Sequence, residues 1–163
     1  MIRLAQMKKE KIYAFLVVGI FLVIVFLISH NTPKQNPAET YKGLPSVNYV
    51  KIGGQSIKVE IALTAEEQTK GLSGRSGLKE NEGMLFVFAQ PDKYFFWMKD
   101  MNFAIDIIWI GENGKIIYIK KDARPESYPE TYGPLGTSKY VLEVVSGFSE
   151  KNNLQIGDRV EFQ

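Results

Sequence analysis

The stretch at residues 83–110, GMLFVFAQPDKYFFWMKDMNFAIDIIWI, decides how the rest of the chain is read. It holds both tryptophans, Trp97 and Trp109, and five of the ten phenylalanines. Asp92, Lys93, Lys99, Asp100 and Asp106 are threaded through it. GMLFVF, YFFWM and AIDIIWI read as three strands, and their near-continuous apolar character predicts burial on both faces. Gln90-Pro91-Asp92 breaks the first pair, and Lys99-Asp100-Met101-Asn102 separates the second from the third. Lys99, Asp100 and Asp106 are then either a site or the polar edges of a core.

Working outward, VNYVKI and QSIKVEIA flank Gly53-Gly54, which predicts a two-residue hairpin turn. Ile57, Val59 and Ile61 alternate with Lys58 and Glu60, so one face is buried and the other wet. Thr64-Ala65-Glu66-Glu67 fits a capping box, with a short helix to about Lys70 stopped by Gly71. Gly71, Gly74 and Gly77 then surround Arg75. That loop is either a nest of amides for an anion or a turn-rich crossing at the end of a sheet.

On the other side, Gly111-Glu112-Asn113-Gly114 predicts a hairpin with positive φ at both Asn-Gly positions, and KIIYIKK returns from it. Residues 122–138 carry Pro125, Pro129 and Pro134 with Tyr128 and Tyr132, the composition of a lid, a binding loop or a rigid connector. KYVLEVV reads as a strand, SGFSEKNNL as a short helix and IGDRVEF as a last strand. Seven or eight short strands with one or two short helices and no long crossover helix predict a mainly β fold, an antiparallel sandwich or partly open barrel over residues 47–163.

The first 46 residues have a different composition. Residues 12–28, IYAFLVVGIFLVIVFLI, carry no charge, and about 17 helical residues nearly cross a hydrocarbon core of about 30 Å. Four basic residues precede the run, so residues 1–11 are expected in the cytoplasm, 12–30 as an anchor in the cell membrane and the domain outside the cytoplasm. The alternative is a cleaved signal and a secreted domain, but no small-residue cleavage site follows. Residues 31–46, with Pro33, Pro37 and Pro45 among polar residues, read as an extended tether.

Composition excludes several chemistries. There is no cysteine, and the single histidine, His30, lies at the end of the apolar run. Thiolate chemistry, Cys-ligated zinc, iron–sulfur clusters, a Ser-His-Asp triad and a His-based metal cluster cannot be built in the domain, and no cofactor is expected. Residues 31–163 hold 16 Lys and Arg against 17 Asp and Glu, which leaves no basic footprint for nucleic acid.

Several of these pieces, in order, carry a family resemblance. They are Thr64-x-Glu66-Glu67 with Gly71-Leu72 and Arg75, GMLFVF, FWMKD at 96–100, IDIIWI at 105–110, YVLEV at 140–144 and the IGD-V ending at Val160. Together they resemble domain of unknown function 192, a bacterial and archaeal family. The resemblance implies a compact, jelly-roll-like β-sandwich, often secreted or membrane-tethered, and no established activity. Four positions depart from the family's usual residues: Gln68 stands for Arg, Ser73 for Met and Asp100-Met101 for Asn-Thr. A ligand touching those positions would be bound differently here.

The candidate ligand-binding residues are Glu67, Arg75, Trp97, Lys99, Asp100 and Asp106. A cation, carboxylates and aromatic faces in one pocket suit a small polar, anionic or carbohydrate-like ligand. Against this stands a wholly structural assignment: Asp106 satisfying loop amides, Glu67 capping a helix and Arg75 in an ion pair. The reading favours a noncatalytic envelope module that binds such a ligand or an unknown protein partner. Its rivals are a hydrolase or transferase acting on an envelope carbohydrate through Glu67, Asp100 or Asp106, and a purely structural envelope protein.

Overall fold

The computed structural model describes residues 47–163, so the expected tail, anchor and tether lie outside the described residues. Strand β1 (Tyr49–Ile52) turns at Gly53-Gly54 into β2 (Gln55–Ala62). Both glycines have positive φ, 55° and 76°, and Ile52 pairs with Gln55, as a two-residue hairpin requires. Helix α1 (Ala65–Lys70) begins at the expected capping box: Thr64 Oγ1 accepts from the Glu67 amide, and Glu67 Oε2 accepts from the Thr64 amide.

Then come β3 (Glu82–Asp92), β4 (Phe96–Trp97), β5 (Ile105–Ile110), β6 (Ile116–Ala123), β7 (Thr131–Tyr132) and β8 (Ser138–Val145). Helix α2 (Phe148–Lys151) and β9 (Glu161–Phe162) close the chain. Seven strands form one sheet in the order β6-β5-β8-β3-β2-β1-β9, curled into a half-barrel, and β4 pairs with β7 as a separate two-stranded ribbon. The fold is mainly β with two short helices.

Three expectations need correction. First, the large sheet is not wholly antiparallel: β2 and β3 run parallel, with Glu60 opposite Met84 and Ala62 opposite Phe86. The 19 residues from Leu63 to Asn81 make the crossover, enough for the dozen or so a parallel connection needs. The helix in it spans only six residues, too short to stand out as a crossover element.

Second, YFFWM is not a strand buried on both faces. Only Phe96 and Trp97 are in strand conformation. Phe95 and Trp97 are exposed, while Phe96 and Met98 turn inward. An all-apolar run hides this alternation because no polar residue marks the wet face. Third, in the 111–114 turn only Gly114 has positive φ, 72°. Its amide donates to the Gly111 carbonyl at 2.9 Å, and Asn113 Oδ1 accepts from the Lys115 amide at 3.1 Å. The hairpin exists, but over a longer loop than two residues.

The central strands are buried on both sides, as expected. All six residues of β5 are buried. Odd and even positions feed two clusters on opposite faces of the sheet. One gathers Ile57, Leu85, Ile108, Ile110, Leu142 and Val144 under Phe148 and Leu154. The other gathers Ala62, Phe86, Ile107, Trp109 and Val141 under Leu72, Met98 and Tyr132. Phe96 meets both Phe86 and Trp109 edge-on, at 4.8 and 5.7 Å between ring centroids, and Trp109 Nε1 donates to the Tyr94 carbonyl at 2.8 Å. The inner side of the ribbon is therefore fastened to the sheet, which leaves its outer side free.

Candidate functional site

The outer side of the ribbon is built by simple alternation. Tyr94, Phe96 and Met98 pack inward, so Lys93, Phe95, Trp97 and Lys99 face solvent. They run in the order cation, aromatic, aromatic, cation along one side of the segment. Phe95 is 62% exposed and Trp97 50%. Across the ribbon Trp97 pairs with Thr131, and Tyr128 meets the Trp97 ring at 6.0 Å and 72°. The Phe95 ring lies over Gly133, where an added Cβ would come within 2.5 Å of it. The proline-rich 122–138 segment thus supplies the second strand of this surface. Neither Lys93 nor Lys99 has an ion-pair partner among the described residues.

Behind Lys99, the 99–102 turn is fastened to the glycine-rich loop. The Gly74 amide donates to the Asp100 carbonyl at 2.9 Å, Ser73 Oγ to the Lys99 carbonyl at 3.0 Å, and Asn102 Nδ2 to the Arg75 carbonyl at 2.9 Å. Asp100 has φ of 57°, a left-handed conformation that Asn and Asp tolerate better than other side chains. Three of the four departures from the usual family residues therefore have local roles. Asp100 makes a turn, Ser73 ties two loops, and Gln68 Nε2 donates to the Val87 carbonyl at 2.9 Å. The amides of Gly71, Ser73, Gly74 and Arg75 all donate to backbone carbonyls, so the loop is a turn-rich crossing and not an anion nest.

Arg75 reaches across the sheet face to Glu60 with both outer nitrogens, Nη1 to Oε1 and Nη2 to Oε2, each at 2.7 Å. Such a fork-to-fork pair is stronger than a single contact. It holds the Glu60 carboxyl below its usual range and raises Arg75. Glu60 is opposite Met84, and Met84 is opposite Glu143, so the two glutamates stand two strands apart on one face.

Glu143 is 6% exposed, and its Oε2 has no hydrogen-bond partner among the described residues. Burial pushes its carboxyl up to about 8, and the nearby Arg75 charge only partly offsets this. It therefore stays protonated at neutral pH. Sequence reasoning passed over Glu143; the available signal was a lone acid inside the apolar run of KYVLEVV.

Glu67 and Asp106 are committed elsewhere. Glu67 Oε2 accepts from the amides of Leu63 and Thr64, both at 2.9 Å, and these bonds hold its carboxyl below the usual range. Asp106 is fully buried. Its Oδ1 accepts from the amides of Asp122 at 2.9 Å and Gly147 at 3.2 Å, and its Oδ2 from Ser149 at 2.8 Å. The fold thus gathers Trp97, Lys99 and Asp100 with the Arg75 loop, and uses Glu67 and Asp106 to fix backbone. An open groove of about 440 Å³ lies at another place, between Gln55, Asn81, Val145, Phe148 and Asn152, and none of the six candidates lines it.

The DUF192 family profile, "Uncharacterized ACR", matches residues 48–162. No curated protein matches. Two crystal structures resemble the domain. One is a protein of unknown function from Novosphingobium aromaticivorans DSM 12444, 29% identical, with TM-score 0.67 over 75% of this chain and 95% of that one. The other, from Sinorhizobium meliloti 1021, is provisionally described as a transcription regulator; it is 28% identical, with TM-score 0.66 over 74% of this chain and 98% of that one. With a family match that spans all but the ends of the described residues, the chain belongs to the uncharacterised DUF192 family.

Proposed function

We propose that the protein is a membrane-anchored, extracytoplasmic binding module that holds a carbohydrate-like ligand on the outer face of the β4–β7 ribbon, without catalysis. One observation carries the reading: two exposed aromatic rings, Phe95 and Trp97, lie in line between two lysines without ion pairs, with Tyr128 beside them. Large planar side chains left in water are costly unless they meet a partner. Aromatic rings supply an apolar face for sugar C–H groups, while lysine ammoniums donate to hydroxyl or acidic substituents. The uncharged run at 12–28 and the polar, proline-rich 31–46 support a tethered domain outside the membrane.

A carboxylate-dependent hydrolase has less support. Two of its three candidate carboxylates, Glu67 and Asp106, already accept from backbone amides. A role in transcription is not supported either, since 16 basic residues face 17 acidic ones in 31–163. The test is calorimetry of the full chain in detergent micelles against oligosaccharides and soluble cell-wall glycans. Wild type should bind at least one of them, and Trp97→Ala should weaken that binding about tenfold, equivalent to about 1.4 kcal/mol. Equal binding by both proteins would remove the ribbon from the account.

A further inference from the structure

We propose that Glu60, Arg75 and Glu143 form a proton-operated latch that sets the position of the 99–102 turn beside the ribbon. It rests on the binding reading for its regulatory meaning, since that turn carries Lys99. The geometry has three parts.

The first is a buried acid with nowhere to put a charge. Glu143 lies between Met84 and Ile107 on the sheet face, and its Oε2 has no partner among the described residues. An isolated buried carboxylate is strongly disfavoured, so the protonated form belongs to the arrangement seen.

The second is a cation that can serve either of two carboxylates. The charged groups around Glu143 are Arg75 from the covering loop, Glu60 and Lys58 from β2, Glu82 from β3 and Lys120 from β6 at the far end of the row. Lys79 holds Glu82, Lys120 lies over the Tyr132 ring at 4.4 Å, and Lys58 points outward to solvent on β2. Arg75 is the cation whose charge Glu143 feels. While Glu143 is protonated, Arg75 grips Glu60. When Glu143 gives its proton to water, the buried carboxylate draws Arg75 inward. Glu60, whose side chain is 66% exposed, is left to water at little cost.

The third is the linkage outward. Arg75 and its two predecessors hold the 99–102 turn through the three bonds from Gly74, Ser73 and Asn102. Asp100 sits in a left-handed conformation, φ 57°, a sparsely populated backbone region that the bonds to residues 73–75 help to hold. Trp97 precedes Lys99 by two residues and reports on the movement, while Trp109 is fully buried.

The experiment follows the indole ¹⁵N resonance of Trp97 in the full chain in lipid nanodiscs, without ligand, from pH 6.5 to 9.5. Wild type should show one transition near pH 8, the midpoint expected from Glu143. Glu143→Gln should abolish it. Glu60→Gln should lower the midpoint by about one pH unit, a tenfold change in proton affinity, because freed Arg75 favours ionised Glu143. A flat Trp97 resonance in wild type, or a transition that survives in Glu143→Gln, overturns the latch. Should Glu143→Gln fail to fold, an unmoved or raised midpoint in Glu60→Gln overturns it equally. Because no ligand is present, this result stands or falls separately from the binding assay.

Discussion

Two acids, Asp106 and Glu143, are both buried, yet their surroundings give them opposite roles. Asp106 accepts three backbone amides, one from Asp122 in β6 and two from Gly147 and Ser149 at the start of α2, so both of its oxygens are satisfied away from water. Asp106→Ala should strand those amides and cost about 3 kcal/mol or more, measured by chemical denaturation, whereas Asp106→Asn should cost less because one acceptor oxygen stays. Glu143 has no such donors. Its folded-state value of about 8 lies above the ordinary 4.5, so the folded chain holds a proton that the unfolded chain releases. Its contribution to stability is complete below pH 4.5 and is lost as pH rises towards 8, a change of a few kcal/mol. Glu143→Gln should flatten that slope between pH 5 and 8 in denaturation curves, and an unchanged slope would contradict the assignment. The sequence placed Asp106 where loop amides could reach it, near a strand start. For Glu143 it offered a lone acid inside an apolar run and no more, because the burial of β8 depends on strands β3 and β5 brought in from both sides.

Among the elements, the helix cap, the first hairpin and the buried β5 were legible because their causes are local: a Thr-x-x-Glu spacing, a Gly-Gly pair and an apolar run. The ribbon was not legible. Its strands are two residues each, and β4 finds its partner β7 more than thirty positions away. Tertiary pairing decided which of Phe95, Phe96 and Trp97 would face water. Gly133 is the element's narrowest point, since the Phe95 ring occupies the space a side chain would need. Gly133→Ala should push Phe95 off the ribbon face. It should cost about 1–3 kcal/mol, read by denaturation, and weaken any ligand held there. Ligand affinity unchanged by Gly133→Ala would mean that Phe95 is not part of the surface.

At the scale of the whole described domain, a single curled sheet is covered on both faces, and the exposed rings of Phe95 and Trp97 lie together at the ribbon. The mainly β class was readable from turn spacing. The parallel β2–β3 pair was not, because a six-residue helix and a glycine-rich loop disguise the crossover. That crossover positions Arg75 against Glu60, close enough for its charge to act on Glu143, and fastens the 99–102 turn, so the least legible connection is the one that organises the site. The most direct measurement uses the two tryptophans as internal controls. Trp97 faces solvent, and the Trp109 indole is bonded to the Tyr94 carbonyl. Titrating the full chain in nanodiscs with a binding oligosaccharide, and following both indole ¹⁵N–¹H resonances, should give a saturable shift of Trp97 with Trp109 nearly still. Saturable binding that leaves Trp97 unmoved, or that shifts instead the side-chain amides of Asn81 and Asn152 in the groove, would contradict the account.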